Sequence, residues 1–204
     1  MIARQIPLIL KSPINSPVSM AYLWSLSDDK KRLACLYKRF YRLRNLIDHD
    51  RRNVSRYKEL IRWKFAKENY NTRRSVILGK PEEPISEIFT RIFNTLTFVH
   101  NSTVILPENM IDKKAYFYKD TRQNHRIEKQ IILTICRMQY VTPNELKYRS
   151  DFSWFPEVRK EIEDFPENAT KRQMAKSTSN PSYIGFADYQ KNLMLLNEMY
   201  KLCL

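Results

Sequence analysis

Basic and aromatic side chains interleave twice in this chain, at Arg39-Phe40-Tyr41-Arg42 and at Arg62-Trp63-Lys64-Phe65. Guanidinium and ammonium groups hold phosphates or carboxylates, and rings beside them stack on bases or fill an interface. The chemistry offered here is recognition of an anion rather than bond breaking. Other chemistries lack their residues. Two glycines, Gly79 and Gly185, cannot build a phosphate loop or a dinucleotide fingerprint. Cys35, Cys136 and Cys203 are widely spaced and odd in number, which is neither a disulfide framework nor a zinc pattern. They are expected to be reduced, packed thiols. His49, His100 and His125 stand apart from one another and from cysteine at any metal-binding spacing. No Gly-x-Ser-x-Gly elbow anchors a hydrolase triad. The expectation is a non-enzymatic protein with no catalytic residue, no metal ligand and no cofactor bound directly.

The distribution of charge supports an anionic partner. The formal net charge is +14 over 204 residues. Residues 1–27 hold two basic side chains and no acid, residues 28–80 hold 17 basic and 6 acidic, and residues 81–204 hold 17 basic and 16 acidic. The excess therefore belongs to one segment, and it exceeds what solubility requires. Nucleic acid, an anionic membrane surface and an acidic protein are the partners such a segment attracts.

Helices must position these residues. Leu33, Leu36, Tyr37, Phe40, Leu43 and Ile47 recur at the spacing of one helical face, as do Val54, Tyr57, Ile61 and Phe65. A polar turn at Asp48-His49-Asp50 joins the two segments into an antiparallel helical hairpin. Ser25 or Ser27 is expected to cap the first helix, with Asp28 and Asp29 in its first turn, and Asp50 or Asn53 to cap the second. Ile85, Ile88, Phe89, Ile92, Phe93, Leu96 and Val99 form a third stripe. The predicted fold is all-α. Its nucleus is a three-helix antiparallel bundle, with helices near 27–48, 53–72 and 84–100. Further C-terminal helices, near 121–140, 151–165 and 186–202, pack on that bundle. Gly79-Lys80-Pro81 marks a break, Pro143 ends the fourth helix, Pro156 is tolerated in a first turn, and residues 166–182 read as a polar loop. This divides the chain into an N-terminal arm (1–26), the bundle (27–100) and a C-terminal helical extension (101–204).

Residues 1–27 are free of acid and carry Ser12, Ser16, Ser19, Ser25 and Ser27. That composition fits a mitochondrial targeting segment, while Pro7, Pro13 and Pro17 fit a plain extended arm. No run of 18 apolar residues occurs, so no transmembrane helix is expected.

Leu36-Tyr37-Lys38 opening an Arg-rich helix, followed by Arg62, Phe65 and Asn69 on the next, resembles the LYR-motif proteins of mitochondria. Lys38 stands where the motif has Arg, and Ala66 replaces its second Arg. The resemblance spans about residues 28–100. A second resemblance covers more of the chain. Tyr37 to Leu43, Lys64 to Tyr70, Arg137-Met138-Gln139-Tyr140 and Leu195-Leu196-Asn197-Glu198 are similar to the fungal increased recombination centers protein nineteen family. That family implies respiratory growth, sporulation and upkeep of mitochondrial DNA, in the mitochondrion and by extension its matrix.

The LYR resemblance implies an adapter that binds the mitochondrial acyl carrier protein. That partner has an acidic surface, and its phosphopantetheine carries an acyl chain into the helical bundle. The partner-binding residues would be Tyr37, Lys38, Arg39, Arg42, Arg62 and Phe65. Lys for Arg at position 38 keeps the charge but loses the bidentate fork. The alternative is a basic nucleic-acid-binding protein acting on mitochondrial DNA or RNA, although no helix-turn-helix, zinc finger or ribonucleoprotein motif is present.

Overall fold

The computed structural model describes residues 18–103, 127–147, 149–163 and 181–204. The N-terminal arm up to Pro17, the connection from 104 onward, the predicted start of the fourth helix and most of the 166–182 stretch lie outside the described residues. Among the described residues every regular element is an α-helix, and ten are present. The all-α expectation holds. The described residues form two compact units, one from residues 18–62, 95–103 and 127–140, the other from residues 63–94, 141–147, 149–163 and 181–204.

The first unit contains α1 (Met20–Ser25), α2 (Asp29–Arg42), α3 (Arg44–Ile47), most of α4 (Arg51–Ala66), the end of α6 (Ile85–Ser102) and nearly all of α7 (Ile127–Val141). α1 falls in the segment that the sequence assigns to the N-terminal arm. Ser19 makes it a helix by accepting a hydrogen bond from the Tyr22 amide. Neither Ser25 nor Ser27 caps α2. Asp28 does, accepting from the amides of Lys30 and Lys31, because a carboxylate satisfies the orphan amides and also meets the positive end of the helix. The predicted helix 27–48 is in fact two. Its last turn tightens at Leu43, whose amide bonds Phe40 O at 3.1 Å, and α3 restarts immediately. Asp50 caps α4, accepting from the Arg52 amide at 2.9 Å. The other candidate, Asn53, is buried one turn in and donates to Asp48 at 2.6 Å.

Leu36, Phe40, Leu43 and Ile47 are buried as the period required, but Leu33 is 37% exposed and Tyr37 only half-buried. The Tyr57 hydroxyl donates to Phe40 O at 3.0 Å and ties α4 to α2. Burial pushes that hydroxyl far above the ordinary tyrosine value. Leu96, Val99, Ile132, Ile135 and Cys136 are also buried in this unit.

The second unit contains the end of α4, α5 (Tyr70–Leu78), the start of α6, α8 (Asn144–Lys147), α9 (Trp154–Glu163) and α10 (Pro181–Tyr200). The predicted helix 53–72 stops at Ala66, and Asn69 starts a new one. Its side chain accepts from the amides of Asn71 and Thr72, the local bonding that makes Asn better at a cap than inside a helix. α5 ends at Gly79 with φ 65°, a left-handed value that glycine adopts without strain. Pro156 sits in the first turn of α9 as expected. α10 begins at Pro181 rather than 186 and runs through Gly185.

Tyr70 and Ile77 of α5, Trp154, Phe155 and Val158 of α9, and Ala187 and Met194 of α10 form one apolar cluster with Leu146 and Phe152. α10 closes on Lys201, at φ 49°. The Leu202 amide then bonds Asn197 O at 2.9 Å. Asn197 is fully buried. Its side chain accepts from the Leu204 amide at 2.9 Å and donates to Leu204 O at 3.0 Å, folding the tail back onto α10.

Candidate functional site

Charge is distributed unequally between the units. Among the described residues the first holds 14 basic and 6 acidic side chains, the second 12 and 11. The cationic excess thus sits in the first unit, and in the second it is nearly cancelled.

The cancellation takes place through an ionic network, largely buried, that the charge totals of the sequence do not reveal. Arg73 is 2% exposed. It pairs with Glu68 at 2.9 Å and donates to Gln190 Oε1 at 2.8 Å and to Leu204 O at 2.7 Å. Lys64 meets the same carboxylate at 2.7 Å. Glu198 on α10 receives Arg74 at 3.0 Å, Arg91 at 2.9 Å and Lys80 at 2.7 Å. Arg91 also forks onto Glu83 at 2.6 and 2.7 Å, and Arg74 donates to Pro81 O.

The electrostatics follow from these partners. Burial opposes ionisation of Glu198, but hydrogen bonds from Arg74 and Lys80 and the charges of Arg91 and Arg74 outweigh it and hold the carboxyl at about 2. Glu68 is likewise held below the usual carboxylate range: burial works against its charge, and Lys64 and Arg73 overcome it. Lys64 is pushed down to about 8 by burial and then by Arg73, against the opposing pull of Glu68. These groups pair with one another, although Nε of Arg73 is buried without a hydrogen-bond partner. They fasten α5, α6 and α10 of one unit rather than present an open site.

The sequence signal for the network was available in part. Asn197 and Glu198 interrupt the apolar run at the end of α10, and Asn69-Tyr70 interrupts the hairpin's second helix. Both lie in the runs that carry the family resemblance.

The predicted site residues separate. Lys38 and Arg42 are exposed and Arg39 is half-buried. Together with Lys31 they line one wall of a groove of ≈ 370 Å³ between α1 and α2, whose remaining lining is Tyr22, Leu26, Ala34 and Cys35. Among the described residues no carboxylate pairs with Lys38, Arg39 or Arg42. Tyr37 lies outside the groove lining and stacks on Tyr41, centroids 5.9 Å apart, with the Arg44 guanidinium 4.4 Å above Tyr41. Arg62 is exposed on α4 and lies outside the groove lining, and Phe65 is half-buried on the part of α4 that belongs to the second unit. Asn69, the matching third position, leaves α4 altogether to cap α5. Sequence reading missed Tyr22 and Leu26 because it placed α1 in the N-terminal arm.

Among the described residues no group of His, Cys, Asp or Glu is placed to hold a metal ion, and no helix is long and apolar enough to cross a membrane. Cys136 is buried and Cys203 lies among Lys64, Glu68 and Arg73. Burial pushes both thiols up to about 12. Cys35 is the partly exposed thiol in the groove.

Residues 16–204 match the family model described as Increased recombination centres protein 19. The chain belongs to that family. A relative named Increased recombination centers protein 19 from Zygosaccharomyces rouxii is 31% identical over 139 residues, covering 61% of this chain and 66% of its own. One from Vanderwaltozyma polyspora is 28% identical over 171 residues, covering 84% and 78%. One from Saccharomyces cerevisiae is 25% identical over 179 residues, covering 79% and 75%. No solved structure matches significantly. The family match includes both the cationic groove wall of α2 and the buried network, since Lys38 to Arg42 and Lys64 to Glu198 fall inside it.

Proposed function

We propose that this chain is a non-enzymatic accessory factor for genome maintenance in fungal mitochondria, acting in the matrix in support of respiratory growth and sporulation. It works as an adapter that holds an acidic protein, of the acyl-carrier type, against the cationic face of α2. The name carried by its relatives supports the genome-maintenance part, and the acid-free first 27 residues support the mitochondrial part.

One observation carries the adapter reading. In the second unit Arg73, Arg74 and Arg91 are each paired with carboxylates of their own unit, whereas Lys38, Arg39 and Arg42 converge on one groove wall with no described carboxylate to meet them. Converging charge of one sign on an exposed face selects a partner of the opposite sign. The carrier's acyl-phosphopantetheine is the one cofactor the reading brings in, and the partner supplies it.

Affinity purification from mitochondria of wild type and of a Lys38→Glu/Arg42→Glu variant tests this. An acidic carrier recovered with the first and absent with the second, at equal helicity, is the expected result. Equal recovery of the carrier, or a purely cytosolic pool with normal respiratory growth after gene deletion, overturns it.

The stacked Tyr37–Tyr41 pair with Arg44 over it favours a second reading, direct binding of mitochondrial DNA or RNA. That reading requires affinity that falls steeply with salt and ignores the acyl state of any carrier.

A further inference from the structure

The two walls of the α1–α2 groove differ in kind. The α2 wall presents Lys31, Lys38, Arg39 and Arg42, while the α1 side presents Tyr22 and Leu26, and residues 18–27 contain no charged side chain at all. Between them lie Ala34 and Cys35, small side chains that leave room for a guest. Lys31, Lys38 and Arg42 are spaced i, i+7 and i+11, so they follow one line along α2 for roughly 16 Å, or three turns. Along the same line Ala34 and Cys35 keep the surface low. The complement of a cationic edge beside an aliphatic trough is an amphipathic helix whose apolar ridge fills the trough and whose carboxylates, one turn apart, face the cations.

A single nucleic-acid strand fits less well. It needs rings on which successive bases stack, and Tyr22 is the one ring in the lining. Trp24, on the same short helix, lies outside the lining with the Arg32 guanidinium 4.8 Å over it. The Tyr37–Tyr41 pair lies outside it too.

We infer that the α1–α2 groove is the docking site for an acidic amphipathic helix of a partner protein. The helix seats apolar side chains on Tyr22, Leu26, Ala34 and Cys35 and carboxylates on Lys31, Lys38, Arg39 and Arg42. This deepens the adapter reading and rests on it only for the sign of the partner's charge. Docking covers Cys35, and this makes the site readable. Cys136 is buried and Cys203 is part-exposed like Cys35, so the maleimide signal that disappears in Cys35→Ser is the one that reports on Cys35.

The test measures the rate of Cys35 modification in the full chain, with Cys35→Ser as the blank. Three probes are added in turn: a model helical peptide with leucines on one face flanked by glutamates, a peptide of identical composition scrambled to destroy the amphipathic face, and an oligothymidylate. At about ten times its Kd, the amphipathic peptide lowers the modification rate about tenfold by mass action. The scrambled peptide and the oligonucleotide do not, and the protection disappears in Lys38→Glu/Arg42→Glu. Equal protection by the scrambled peptide reduces the groove to a charged surface and overturns the inference. Protection by the oligonucleotide alone overturns it in favour of nucleic acid, and no protection by any probe overturns it outright. Purified acyl carrier protein is assayed separately on the same variants. If it binds without protecting Cys35, the groove is wrong and the adapter reading stands. If the peptide protects and the carrier does not bind, the groove stands and that identity of the partner fails.

Discussion

Arg73 donates to the backbone oxygen of Leu204, 131 positions further along the chain, at 2.7 Å, and both residues are buried. The bond places a guanidinium from α5 beneath the tail that Asn197 folds back, with the Phe152 ring 5.7 Å from the charge. Phe152 holds its position at φ 56°, a left-handed backbone that costs a non-glycine residue on the order of 1–2 kcal/mol. Burial of the Phe152 ring in the apolar cluster of the second unit offsets that cost.

Replacing Arg73 with Met keeps most of the volume and removes the charge. It leaves Glu68 paired only with Lys64 and strips two hydrogen bonds from Gln190 and Leu204. Breaking a buried pair from one side costs about 3–5 kcal/mol. Urea titration followed by circular dichroism should show a loss of this size. Arg39→Met, on the groove wall, should fall within about 0.5 kcal/mol of wild type.

Glu198 makes stability depend on acid. Its carboxyl lies at about 2 in the fold against 4.5 for an unperturbed glutamate. A depressed carboxyl contributes stability that is fully present above the unfolded value and is lost as pH falls through the folded one. The window is therefore from about 4.5 down to about 2. At 1.36 kcal/mol per pKa unit the contribution at neutral pH is about 3 kcal/mol. Glu198→Gln should lose about that much at pH 7, and its stability should fall less between those two pH values than that of the wild type. Parallel curves would show that Arg74, Arg91 and Lys80 do not act through this carboxylate.

Lys64 gives stability a slope of the same sign on the alkaline side, from an unfavourable contribution that is relieved rather than a favourable one that is gained. Its ammonium is pushed down to about 8 from 10.5 by burial. Between these values the unfolded chain binds the proton more tightly, so this group makes stability rise as pH rises from about 8 toward 10.5. Below about 8 its contribution is flat and unfavourable. Lys64→Met should remove that rise. The readout is the difference in urea midpoint between variant and wild type, measured from pH 7 to 10.

Both ends of α5 are fixed locally, by Asn69 at the break from α4 and by Gly79 at the stop. Asn69→Ala removes the acceptor for the Asn71 and Thr72 amides and should cost about 1 kcal/mol. Gly79→Ala meets no atom within 4 Å, so its cost is the left-handed backbone alone, again about 1 kcal/mol. Gly79→Asn should recover part of that, because Asn tolerates the same region. Thermal melts of the three variants check these values. An unchanged Asn69→Ala would mean that α4 can run on into α5.

What could be read from the residues alone was whatever depends on neighbours in the chain. The apolar period of Leu36, Phe40, Leu43 and Ile47, the stop at Gly79 and Pro156 in a first turn are local, and each is found in place. The third stripe, expected at 84–100, forms α6 at Ile85–Ser102. The cationic wall of α2 was legible for the same reason: Lys38, Arg39 and Arg42 share a helix. The breaks at Leu43 and Ala66 were not, since the apolar period continues across both and only capping by Asn69 and a tightened turn at Leu43 decide them. The groove needed α1, which one serine cap creates from a segment with little periodicity. Sequence alone determined the helical class of this protein and its excess of positive charge. Tertiary structure alone decided which of those charges remain available. Whether an arginine is buried against a carboxylate, as Arg74 is against a glutamate 124 positions away, or left facing solvent, as Arg42 is, depends on contacts between distant segments, and the Coulomb energy of a pair is set by separation in space and by burial, not by order along the chain.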